Sequence, residues 1–348
     1  MPTEIIKGLK VKISEAEKTR KYLYTNNLLR EEYKIKKEKK YVYFPIKNQI
    51  NKKYTSYIII DKEFEKKKTI PKSYKDILEI PEDLKNILPT SYDVIGDIIL
   101  IKLPEKLLDY QKNIGEALLD THKNVKTVCL SNPVSGELRT RDIKIIAGKK
   151  NTKTIHKEYG LEFFVDVSKT YFSPRLANER KRITSLVQPG ETVVDMFAGV
   201  APFSIMIAKY ANPKIVYAID KNKDAVNYAK QNIKHNRVID KVEIIYDDAK
   251  NIEKILKKNN AKADRIIMNL PFSAYLFFPY VLEIISNIII IHYYSIIKEE
   301  SIDDLIVRLK NIAKENKVDL TSFNVNKIKT YAPREFYIGI DITAKKVK

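Results

Sequence analysis

The stretch Val193-Val194-Asp195-Met196-Phe197-Ala198-Gly199-Val200-Ala201-Pro202-Phe203 reads as an apolar strand, a turn of small residues and the start of a helix. Small side chains let a ligand approach the backbone, and a helix N-terminus offers free amide donors. The turn lacks the three glycines of a dinucleotide-binding G-x-G-x-x-G and the GK[ST] of a phosphate-binding loop. A D-x-F-x-G turn of this kind suits S-adenosylmethionine (AdoMet), which has no pyrophosphate to cradle.

Outward from this turn, polar residues recur at strand ends. Asp220 follows the apolar run Ile215–Ile219, 25 residues after Asp195, where an acid can accept hydrogen bonds from both ribose hydroxyls. Asp248 comes 28 residues later, placed to address an adenine amino group, and Asn269-Leu270-Pro271 begins 21 residues beyond it. In an open α/β sheet all four signals face one crevice at the carboxyl ends of the strands. Taken singly, each is equally an ordinary loop or cap residue. The cofactor candidates are Phe197, Gly199, Ala201, Pro202, Phe203, Asp220, Lys221, Asp248, Asn269, Leu270 and Pro271.

The rest of the chain falls into sections. Strand runs at Thr192–Met196, Ile215–Ile219, Val242–Tyr246, Arg265–Met268, Ile288–Tyr293 and Tyr337–Ile342 alternate with amphipathic helices, which implies a mostly parallel sheet covered on both faces. This third section is expected over residues 166–348. A middle domain spans 89–165, with a strand at Val94–Ile101 and a helix near Glu105–Thr121. A charged stretch punctuated by Pro71 and Pro81, with Lys66-Lys67-Lys68, reads as a linker over 63–88. Residues 1–62 form a small α/β module, with a capping-box signature at Ser14-Glu15-Ala16-Glu17, a helix to about Leu29, and strands near Tyr41–Pro45 and Ser56–Ile60.

Composition narrows the function. Lys+Arg number 64 against 44 Asp+Glu, a net charge of +20, which favours a polyanionic partner. Lysine can reflect genome composition alone. Arginine is the better witness: five of eleven (Arg139, Arg141, Arg175, Arg180, Arg182) lie within 44 residues, as a need for the planar bidentate fork would require. The single Cys129 excludes a disulfide framework, and four scattered histidines suggest no metal cluster. No signal peptide is visible. Phe272–Tyr294 is the most apolar segment, but it contains Pro279, Glu283 and Asn287 and reads as a buried helix followed by a buried strand. A soluble cytoplasmic protein is expected.

Seven segments together resemble a known family, the archaeal tRNA (guanine-37-N1)-methyltransferases. They are Gly136–Arg141, Thr154–Glu158, Tyr171–Arg175 with Glu179-Arg180, Asp195–Phe203, Asn269–Pro271, His292–Tyr294 and Tyr331–Glu335. The resemblance implies an α/β fold: a Rossmann-like class I AdoMet-dependent methyltransferase domain, a small α+β middle domain and a small N-terminal α/β module. It implies methyl transfer to N1 of guanosine 37, beside the anticodon. N1 carries a proton that a carboxylate must accept, while a cation stabilises charge moving onto O6. By the resemblance, Glu179 is the general base, Arg139 the O6 stabiliser and Asn269 the holder of the guanine edge. Tyr171 and Arg175 then shape the pocket of the flipped nucleotide. Arg139, Arg141, Arg175, Arg180 and Arg334 are the RNA-binding candidates, and the N-terminal module is expected at the tRNA elbow. The expected enzyme is a monomer and needs no metal.

Without the resemblance, Glu179 reads first as a solvent-facing helix residue paired with Arg182. Arg139 and Arg141 alternate on a strand, so at most one reaches the base. His156 and His292 read as structural. Two features depart from the family. Ala201 stands where the family has glycine, and its methyl either narrows the methionine end of the site or only fixes the turn. The loop Phe272-Ser273-Ala274-Tyr275 is aromatic-rich and looks like the branch that methylates C7 of the tricyclic wyosine precursor 4-demethylwyosine. That chemistry, alone or beside N1 methylation, is the alternative function. An inactive tRNA-binding protein is the more distant one.

Overall fold

The structure is a computed structural model that describes residues 3–47, 58–67, 73–135 and 140–347, with the side chains of 133–135, 140 and 141 left aside. Two compact units divide the chain, Met1–Asp76 and Ile77–Lys348.

In the first unit, Thr3–Lys12 pairs antiparallel with Tyr41–Pro45 on one side and Ile58–Glu65 on the other, with Lys36–Glu38 outside Tyr41–Pro45. The helix Ala16–Thr25 contributes Leu23 to a small core of Leu9, Val11, Val42 and Phe44. The capping box expected at Ser14 does not form. Ile13–Glu15 is a 3-10 turn, and Glu15 caps the helix without a side-chain hydrogen bond. The helix also ends at Thr25, short of Leu29.

The second unit opens with a four-stranded sheet of Asp93–Ile95, Ile98–Ile101, Thr127–Ser135 and Thr140–Gly148, packed against the helix Gln111–Thr121. A hairpin, Lys153–Glu158 with Leu161–Asp166, leads to helix α1 (Ala177–Leu186). The main sheet follows: β1 (Thr192–Asp195), β2 (Ile215–Asp220), β3 (Val242–Tyr246), β4 (Arg265–Met268), β5 (Ile288–Lys298), β6 (Val318–Ala332) and β7 (Glu335–Lys346). Its order is β3-β2-β1-β4-β5-β7-β6. The first five strands run parallel, and β7 runs antiparallel to both β5 and β6.

Period-two alternation explains why this sheet is covered on both faces. Val193 and Ile267 join one apolar cluster with Ile205 and Ile207 of helix α2 (Pro202–Tyr210) and Ala229 of helix α3 (Lys223–His235). Their neighbours Val194 and Ile266 join another with Ile252, Phe278 and Leu309. Phe272–Tyr294 contains a short helix, Phe278–Glu283, followed by the start of β5. No helix of the described residues is long and apolar enough to cross a membrane.

Candidate active site

The β1–α2 turn is the floor of the site. Gly199 and Ala201 both take left-handed backbone, at φ 56° and 65°. That conformation suits glycine and costs an alanine of order 1 kcal/mol. The Ala201 methyl is buried in the apolar cluster with Phe203 and Ile205 and does not line the cavity above.

Above the turn lies a cavity of about 650 Å³, a size suited to a small cofactor. Its walls include Phe197, Gly199, Pro202, Phe203, Asp220, Lys221, Asp248, Asn269 and Leu270, together with Tyr171. The carboxyl ends of β1, β2 and β4 thus meet here, with the loop after β3 supplying Asp248. Pro271 and Ala201 are not on its surface. Asp220 Oδ2 accepts a hydrogen bond from the Gly199 amide at 2.6 Å and Oδ1 one from the Asn222 amide at 2.8 Å. These bonds aim the carboxylate into the cavity and leave lone pairs for hydroxyl donors. Burial raises the Asp220 pKa. Asp195 lies deeper: its Oδ2 accepts from Ser204 Oγ at 2.8 Å, and its Oδ1 is buried without a partner. Burial pushes the Asp195 carboxyl up to about 7. An acid-lined cavity with apolar walls at Phe197 and Phe277 fits a nucleoside bearing a cationic sulfonium.

Glu179 faces elsewhere. It sits in the first turn of α1, 5% exposed, and lines a second cavity of about 420 Å³ with Arg175, Asn178, Arg182 and residues Val325–Ile328 of β6. Arg182 donates to it twice, from Nε at 2.8 Å and Nη2 at 2.7 Å, and Tyr294 Oη donates at 2.8 Å. Tyr294 packs 6.0 Å from Tyr337, whose hydroxyl donates to Asn269 Oδ1 on the cofactor cavity. Two tyrosines therefore join the buried carboxylate to the cofactor side. Gly339 makes room for them: a Cβ there would lie 3.1 Å from Tyr294 Cε1 and 3.3 Å from Glu179 Oε1. A lone glycine inside an apolar strand is the sequence signal of such close approach.

The clamp extends further. Arg182 also donates to Asp341 at 2.6 and 3.1 Å, and Asp341 Oδ1 lies 2.6 Å from His292 Nδ1. His292 Nε2 lies 2.8 Å from Arg265 Nη1, and Arg265 pairs with Glu191. Burial works against both charges, yet hydrogen bonds outweigh it: those to Glu179 and then Asp341 hold Arg182 above the ordinary value, and those from His292 and then Arg182 hold Asp341 well below it. Burial lowers the His292 pKa, and because a guanidinium only donates, Nε2 accepts from Arg265 and Nδ1 donates to Asp341. His156 accepts from the Gly96 amide at 3.2 Å and is likewise structural.

The arginines divide. Arg180 is buried beneath the wall of the cofactor cavity, which it helps to line. It is 1% exposed, with its guanidinium on Glu158 at 2.7 and 2.5 Å and on the Ser173 carbonyl at 3.1 Å, so its charge is spent inside the protein. Arg175 is exposed at the second cavity and pairs with Asp93 at 2.6 Å. Arg334 is exposed at the tight connection between β6 and β7, with φ 63°. Arg139 lies outside the described residues, and Arg141 is placed by its backbone alone, opposite Val134. Among the described residues no group of three or more His, Cys, Asp or Glu side chains could hold a metal ion.

Comparison with known proteins fits this geometry. Residues 154–321 match the TRM5/TYW2 methyltransferase domain, 74–152 the TYW2 N-terminal domain and 8–54 the tRNA methyltransferase 5 N-terminal domain. The chain is 40% identical to the tRNA (guanine(37)-N(1))-methyltransferase Trm5b of Pyrococcus abyssi, over 96% of this chain and 98% of that protein. The solved complex of aTrm5 and tRNALeu superposes with a TM-score of 0.82 at 35% identity, covering 97% of this chain and 99% of that one. A more distant relative is the tRNA 4-demethylwyosine(37)-methyltransferase Taw21 of Saccharolobus solfataricus, 31% identical over 72% of this chain and 93% of that protein. A class I AdoMet-dependent methyltransferase fold and near-complete coverage of a Trm5b relative lead to one conclusion: the chain belongs to the TRM5/TYW2 methyltransferase family.

Proposed function

We propose that this protein methylates N1 of guanosine 37 in tRNA. When bound, AdoMet supplies an electrophilic methyl group with a neutral thioether as its leaving group. Glu179 accepts the N1 proton on its carboxylate, and Arg182 and Tyr294 hold that carboxylate in place. Asn269, oriented by Tyr337, meets the guanine edge. Tyr171 and Arg175 flank the entry of the flipped nucleotide, and Arg139 neutralises charge growing on O6. Asp220 holds the cofactor ribose, and Asp248 its adenine.

The observation that carries this reading is a buried, hydrogen-bonded carboxylate joined through Tyr294 and Tyr337 to the asparagine on the cofactor cavity. The match of residues 8–54 to the tRNA methyltransferase 5 N-terminal domain supports guanosine as the target. The match of 74–152 to the TYW2 N-terminal domain and the aromatic loop at Phe272 favour a second activity on the wyosine precursor. The N-terminal unit contacts the tRNA elbow, and the enzyme acts as a cytoplasmic monomer.

Methyl-labelled AdoMet offered with two transcripts tests the reading. Label should enter the transcript with guanosine 37 and not the one with adenosine 37. Equal labelling of both would overturn it. Binding to tRNA should also weaken steeply between about 50 and 200 mM salt.

A further inference from the structure

Two large aromatic rings stand in solvent at the rim of the cofactor cavity. Phe272, in the loop after β4, is 52% exposed, and Tyr331, near the end of β6, is 50% exposed. Their rings meet edge to face, with centroids 5.7 Å apart and planes at 73°. Leu276 beside them is 53% exposed, and both Phe272 and Leu276 line the cavity. This apolar rim is thus continuous with the site where the methyl group is delivered. Cations border it. Lys329 lies over the Tyr337 ring at 5.3 Å, and Arg334 is exposed three residues from Tyr331.

We propose that Phe272 and Tyr331 form a stacking platform for a nucleotide flanking the methylated base. The proposal rests on the position-37 reading. Turning a base out of a single-stranded loop removes a stacking partner from each neighbour. An aromatic face replaces that partner whatever the base, because every base has a π face. Phosphates of the same strand then lie against Lys329 and Arg334, in keeping with the net charge of +20. A protein partner is the competing occupant, and it predicts no change in tRNA affinity when the rings are removed.

The test measures tRNA affinity of Phe272→Leu, Tyr331→Leu and Tyr331→Trp, using full-length protein and a guanosine-37 transcript. Leucine keeps apolar bulk and removes the π face; tryptophan keeps both. Each leucine variant should bind the transcript about tenfold more weakly, and Tyr331→Trp should bind like the wild type. Wild-type affinity in both leucine variants would overturn the platform. AdoMet binding by Tyr331→Leu, followed by calorimetry, reports whether that variant is folded. Should it not fold, 5-iodouridine placed beside position 37 decides with wild-type protein. Photocrosslinks at Phe272 or Tyr331 support the platform, and crosslinks only elsewhere overturn it. Failure of the wild type to methylate guanosine 37 would sink the functional reading, while the affinity ratios would still report on the rings.

Discussion

Arg182 grips the Glu179 carboxylate with both Nε and Nη2, at 2.8 and 2.7 Å, one turn apart on α1. A carboxylate gripped by two parallel N–H donors is fixed in orientation as well as in place. Asp341 draws on the same guanidinium from the other side and so shares its charge.

Replacing Arg182 by methionine removes both donors that hold the Glu179 carboxylate in place. In single-turnover methyl transfer the rate should fall, because the carboxylate loses its fixed orientation, and the protein should lose about 3 kcal/mol of stability for the broken pair. An unchanged rate in a folded variant would mean that Arg182 does not position the base.

Glu179→Gln keeps the shape of the side chain and removes its capacity to take a proton. Methyl transfer should fall by about 10²–10⁴-fold, with tRNA affinity little changed in a filter-binding assay. Near-normal turnover would remove Glu179 from the role of base.

Asp195 offers a pH test of stability. Its carboxyl is raised by burial to about 7, with the Ser204 hydroxyl bond acting the other way. The folded state thus holds a proton that the unfolded chain releases near pH 4. The stability it contributes is full below about pH 4 and is lost as pH rises toward 7, by at most about 1.4 kcal/mol per pH unit. In Asp195→Asn this component should vanish from denaturant midpoints taken between pH 4 and 7. A difference between variant and wild type that stays constant with pH would contradict it.

Arg180 and Glu158 form a pair 1% and 6% exposed. Arg180→Met strands a buried carboxylate, so urea unfolding should show a loss of about 3–5 kcal/mol. A variant with full stability and weakened tRNA binding would return Arg180 to the RNA surface.

Ala201→Gly sets opposing terms against one another. Relief of left-handed strain contributes about 1 kcal/mol, while the lost methyl burial costs about 0.8 kcal/mol and the added chain freedom a further 0.5–1 kcal/mol. Stability should change by less than about 1 kcal/mol, with AdoMet affinity kept in calorimetry. A large gain in affinity would show that the methyl reaches the cofactor.

The parallel strands were legible because the inner ones are apolar on both faces and the edge one keeps a compact apolar run. Val242–Tyr246 and Arg265–Met268 run where their apolar stretches lie. β6 was not foreseen: Val318–Ala332 is an edge strand with one face in water and its register broken by bulges, so polar residues interrupt its pattern. In the site, the crevice acids were readable because a strand end fixes where its next residue points. The supports of Glu179 were not. Arg182 was foreseen only as its partner on a solvent-facing helix, whereas Tyr294, Tyr337, Gly339 and Asp341 lie more than a hundred residues away along the chain and reach it only by way of β5 and β7. The burial of Arg180 was not legible either, because a clustered arginine looks the same in sequence whether its partner is a phosphate or the buried Glu158.

The most direct measurement is nucleoside analysis of the methylated product. Wild-type protein, AdoMet and a guanosine-37 transcript would be incubated, digested and resolved by mass spectrometry, alongside tRNA carrying 4-demethylwyosine. Recovery of 1-methylguanosine from position 37 is the predicted result. Methyl appearing only on the tricyclic base, with guanosine 37 untouched, would contradict it.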